Sequence, residues 1–148
     1  MEGLICEFKD KAELKWLLVD PLCRFPLVGP NAPGRALELA ESAMVISPSP
    51  AHLGMVYYRA GRWLDCIRLL EKVTDVPGRN NITAFLFLAM AHWQTGDKDR
   101  ARRIYEQTIA FLARTGYPDY WLRYTQAEAA ELLGAAKAND YPVTNRRP

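Results

Sequence analysis

Between residues 34 and 134 the chain alternates apolar or amphipathic runs with short breaks built from Gly, Pro and Asp. Apolar residues recur at helical spacing, and no segment shows sustained strand alternation with turn signals. The run FKDKAELKWLL over 8–18 predicts a short helix with Phe8, Leu14, Leu17 and Leu18 on one stripe. Pro21, Pro26, Pro30 and Pro33 then break the chain and predict a connector. A helix should start near Pro33, since proline is tolerated in the first turn, and stop before Ser47-Pro48. AHLGMVYYRAG follows and ends at Gly61, RWLDCIRLLEKVTDV ends at Pro77-Gly78, and ITAFLFLAMAHWQTG ends at Gly96. The next helix takes Asp97 as N-cap and Gly116 as its C-terminal glycine, and the last runs from Pro118 to Gly134. Periodicity is lost over 135–148, which predicts a mobile tail. The expected fold is all-α, with short connections that make neighbouring helices antiparallel hairpins.

Shifting the chain by 35 residues brings Leu53 onto Leu88, Gly54 onto Ala89, Tyr57 onto His92 and Gly61 onto Gly96. The same shift brings Cys66 onto Ala101 and Leu70 onto Tyr105. Small residues recur where two helices must approach closely, and large ones where a side chain must fill the gap. These residues resemble the tetratricopeptide repeat, a helix–turn–helix unit of about 34 residues. Leu53-Gly54-x-x-Tyr57 and Phe85-x-x-Leu88-Ala89-x-x-His92 carry the first-helix element, and Ala101-x-x-x-Tyr105 the second. Ala36, Ala40, Ala43 and Pro48 look like the second helix of a preceding, degenerate repeat. Two departures stand out. Pro48 lies five residues before Leu53, which should shorten that first helix by about one turn, and Ala36 lies 30 residues before Cys66.

The resemblance implies a single short solenoid, residues 1–148. It comprises an N-terminal helix and connector (1–33), a half repeat (34–47), repeats over 48–81 and 82–116, a capping helix (117–134) and the tail. More narrowly, WLLVD, ALELAESAMVISP, YYRAGRW, FLAMAHWQTGDKDRAR and AEAAELLG look like a tetratricopeptide module of large bacterial multidomain proteins. There it often sits beside Ser/Thr kinase or β-propeller domains.

Composition narrows the function classes. A net charge of +2 gives no electrostatic reason to expect a nucleic-acid partner. Lys98, Arg100, Arg102, Arg103 and Arg114 interleave with Asp97, Asp99 and Glu106, the pattern of a solvated face on what the resemblance makes the convex side. No apolar run reaches the length of a membrane span, and the N-terminus lacks the apolar core of a secretory signal. Cys6, Cys23 and Cys66 form no CxxC pair, which reads as reduced thiols in a cytoplasmic protein. His52 and His92 have no metal-ligand spacing, and His52, near a helix start, reads as exposed and incidental. There is no Gly-rich phosphate loop, no G-x-S-x-G, and no nucleophile with a recognisable base. The expected protein is therefore not an enzyme and needs no cofactor.

In tetratricopeptide repeats the first helix of each unit lines a concave groove. Helical spacing then points Met55, Tyr58 and Arg59 of one repeat, and Leu86, Met90, Trp93 and Gln94 of the next, into that groove. The row lacks the lysine and asparagine clamp that acidic C-terminal tails require. It suits an extended or helical peptide with apolar anchors. The expected function is a protein–protein interaction scaffold binding a peptide or partner helix. The alternative is a homo-oligomer closed through the same row, or a row covered by the N-terminal segment around Trp16. Leu88→Asp should unfold the chain by burying a charge in the stack, which circular dichroism would register as lost helicity.

Overall fold

The computed structural model describes residues 32–46, 48–73, 81–116 and 120–134, and all regular structure among them is helical. Six helices follow one another: α1 (Ala32–Ile46), α2 (Pro50–Arg59), α3 (Trp63–Val73), α4 (Ile82–Gln94), α5 (Lys98–Thr115) and α6 (Tyr120–Leu133). The expected helix over 8–18, the proline connector before Pro33, and the tail over 135–148 lie outside the described residues. The chain divides into two compact units at Val73–Thr74, so that α1–α3 belong to the first and α4–α6 to the second.

In the first unit α2 packs against both α1 and α3. α1 contributes a stripe of small residues, Ala36, Ala40 and Ala43, all buried. Their spacing puts them on one helical face and lets a neighbouring backbone come close. α2 has 10 residues against 13 in α4, so its first helix is about one turn short. The cause is local: Ser49 is the N-cap and Pro50 the first helical residue. His52 is not incidental. It is half-buried, and its Nδ1 lies 2.6 Å from Ser49 Oγ, joining the cap to the third helical residue. Further along, Gly54 faces Leu70 of α3. A Cβ built on Gly54 would lie 2.6 Å from Leu70 Cγ, and Leu70 is itself fully buried.

In the second unit α4 packs against α5 and α6, and α5 also meets α6. From Ala84 to His92 every residue of α4 is buried, as a helix with neighbours on more than one side requires. α5 is amphipathic and buries Ala101, Tyr105, Thr108, Ile109 and Leu112. Asp97 caps it, its side chain accepting from Arg100 N at 3.3 Å. α6 buries Leu122, Ala129, Ala130 and Leu133, together with Thr125 and Gln126.

The 35-residue periodicity recurs in the backbone. Gly61 N donates to Tyr58 O at 3.0 Å, and Gly96 N to Trp93 O at 3.2 Å. Arg62 N donates to Tyr57 O at 2.9 Å, and Asp97 N to His92 O at 3.0 Å. Cys66 N to Arg62 O and Ala101 N to Asp97 O, each 3.0 Å, open the following helices. Both turns are Schellman motifs closed by a glycine at positive φ, 78° at Gly61 and 95° at Gly96. These turn bonds therefore recur at the sequence offset of 35.

The two glycines inside helices α1 and α2 have opposite surroundings. Gly54→Ala should cost about 1–3 kcal/mol by forcing its methyl into Leu70. Gly34→Ala meets nothing within 4 Å and should stabilise the helix by about 0.5–1 kcal/mol. Thermal or urea unfolding of the two variants should move in opposite directions.

Candidate functional site

Four of the seven residues expected to face a groove are buried. Leu86 and Met90 are 0% exposed, Met55 7% and Tyr58 8%. They are core residues of their units and offer no surface to an incoming peptide. The reason lies in the composition of α4, where FLFLAMA leaves no polar side to the helix. A single helical wheel assigns one packed face, whereas α4 is covered by both α5 and α6. Only Arg59, Trp93 and Gln94 of the expected row keep solvent contact: Gln94 is exposed, while Arg59 and Trp93 are half-buried.

Around Trp93 the structure assembles a site that the sequence pattern did not group. The turn at Gly96 carries the chain back, so that Lys98 Nζ lies 4.8 Å from the centre of the Trp93 ring. Arg102 Cζ, one helical turn further along α5, lies 5.3 Å from the same centre. Both distances are within the range of cation–π attraction. Lys98 and Arg102 are exposed, as are Arg100 and Arg103. The result is a half-exposed indole framed by two cations, with Gln94 at the end of the helix beside it. Position 93 to positions 98 and 102 is the legible signal, but only once the turn type is known; without it these cations read as part of a solvated face.

At the matching place in the first unit Arg59 Cζ lies 5.7 Å from the centre of the Tyr58 ring. The turns themselves carry contrasting chemistry on the same backbone. Arg62 lies over Tyr57, 4.6 Å from the ring centre, and its Nε donates to Asp65 Oδ2 at 2.8 Å. It also reaches Glu41 of α1 at 3.9 Å, and the hydrogen bond it donates to Asp65 is the main reason its guanidinium pKa is raised. In the second unit His92 takes the place of Tyr57 and Asp97 that of Arg62, with Nδ1 and Oδ2 3.9 Å apart. His92 is only 4% exposed and sits in the core of its unit. No group of three or more His, Cys, Asp or Glu converges on a metal-sized site among the described residues. None of the described helices is long and apolar enough to cross a membrane.

None of the family models, curated proteins or solved structures compared with this chain matches it.

Cys66 is fully buried in α3, and burial raises its thiol pKa from 9.0 to about 12, against a smaller opposing effect of a backbone hydrogen bond with Tyr58. A thiol held neutral is a poor nucleophile. Cys6 and Cys23 lie outside the described residues, so the clean experiment uses a Cys6→Ser/Cys23→Ser background. There Cys66 should react with a thiol reagent only as fast as the chain opens. The linkage has a definite sign: the unfolded thiol ionises near 9.0 and the folded one near 12, so the unfolded state holds fewer protons in that window. Stability from this group is complete below pH 9 and falls by about 1.4 kcal/mol per pH unit from there until the folded thiol itself ionises. Cys66→Ala, which copies Ala101 of the second unit, should flatten that part of the stability–pH curve.

Proposed function

We propose that this chain is a non-catalytic protein-interaction module of the tetratricopeptide type, a short helical solenoid. The reading is supported by the recurrence, at 35 residues, of the same glycine-closed turn with the same main-chain hydrogen bonds. Repeats of this length stack because no single helix pair covers its own apolar face. The partner binds the Trp93 edge of the second unit, through Trp93, Gln94, Lys98 and Arg102, and not through Leu86 and Met90 beneath it. An indole beside two cations suits a segment that offers an apolar side chain next to an acidic one. Met55, Tyr58, Leu86 and Met90 are buried, which favours this edge over the apolar row as the contact surface.

Three proteins test the proposal by capture from lysate: the parent, Trp93→Ala, and Lys98→Glu/Arg102→Glu. All three should share one circular dichroism spectrum, because the altered side chains lie at the surface or the rim. Partners held by the parent should fall about tenfold in both variants. They should also be lost from the parent as salt rises from ~0.15 to ~0.5 M, where exposed charges are screened. Unchanged capture by both variants would remove this patch as the binding site.

A further inference from the structure

Helix α6 distributes its side chains against their polarity. Gln126 is 0% exposed with neither amide atom hydrogen-bonded, and Thr125 is 1% exposed, while Trp121 and Tyr124 are each 38% exposed. A helix whose seating were decided by its own unit alone would turn the aromatics inward and the amide outward. Its outer face also carries an ordered row: Arg123, Ala127 and Glu131 are all exposed and are spaced by four residues. Such residues lie one above another along a helix.

We propose that this outer face is where two copies of the chain meet, α6 against α6, antiparallel about Ala127. A two-fold axis through Ala127 maps the row onto itself reversed, so Arg123 of each copy faces Glu131 of the other. The row is self-complementary in charge, which is what an isologous interface needs. Ala127 at the centre has the smallest side chain on the row and allows the two helices to approach closely. Tyr124, three residues before Ala127, lies beside the row and loses exposure on pairing; aromatic residues are the type enriched at such contacts. Arg123 has five N–H donors, so it can donate to a carboxylate of the second copy alongside the interaction it already makes. The face lies on α6 and uses none of the residues around Trp93, so the pairing stands or falls apart from the partner site.

One helix pair covers less than a standard interface, so the dimer is weak and its population follows concentration. Light scattering or sedimentation of the full chain, from about 10 μM to about 1 mM, spans the range expected of such a contact. The average mass of the parent should climb towards twice the monomer. Arg123→Glu and Glu131→Arg each place like charges together and should weaken association about tenfold or more. Arg123→Glu/Glu131→Arg restores both pairs with the charges exchanged and should return association to within about threefold of the parent. A parent that stays monomeric throughout overturns the proposal. So do single variants that associate like the parent, and a double variant no better than either single. The last result would point to a different helix on this face, because only self-pairing requires both charges to change together.

Discussion

Gly61 and Gly96 each hold the main chain in a left-handed conformation that a residue with a Cβ avoids, and that conformation turns one helix back onto the next. The rest of each unit depends on it. The turn brings Leu70 onto Gly54, where the absent side chain lets two helices come together at a distance no larger residue allows. In the second unit it sets Asp97 where its carboxylate caps α5 and stands near His92. It also returns Lys98 and Arg102 to Trp93. The candidate binding edge is therefore a consequence of backbone geometry at one glycine.

The helices were legible because their ends are written in residues with strong local preferences. Pro50 opens α2, Asp97 caps α5, and Gly61, Gly96 and Gly134 follow helices with positive φ. The offset of 35 was legible too, since Leu53 and Leu88, Gly54 and Ala89, and Cys66 and Ala101 are buried alike in the two units. The site was less so. Met55, Tyr58, Leu86 and Met90 were placed outward by the periodicity of one helix, but periodicity says which residues share a face and not how many faces have neighbours. α4, apolar all round, held the missing information in its composition. The pairing of Trp93 with Lys98 and Arg102 depends on the direction in which the chain leaves the turn, which no count of residue types contains. His52, similarly, became a cap partner only once Ser49 was fixed as the residue before the helix.

The two units use one framework with different chemistry. Where the first has a fully buried thiol, the second has a methyl, and both positions are 0% exposed. Where the first has Arg62 over a tyrosine, the second has Asp97 beside a histidine. The framework bonds at 60–62 and 95–97 are main chain to main chain in both. α6 follows the same rule at its end, with Gly134 at positive φ and its N–H donating to Glu131 O at 3.3 Å, but its outward side is aromatic and charged in place of being packed.

The turn itself is closed by main-chain atoms, so the side chain after its glycine is left to other work: Asp97 caps α5, and Arg62 pairs with Asp65 and Glu41. Arg62 and Asp97 occupy that place with opposite sign and leave the hydrogen bonds within 0.1 Å of each other, 2.9 and 3.0 Å. Duplication of such a unit copies the geometry and leaves the tip of each hairpin open to mutational drift. A lineage building on this fold could therefore change the charge shown at every hairpin, one codon at a time, without passing through an unfolded ancestor.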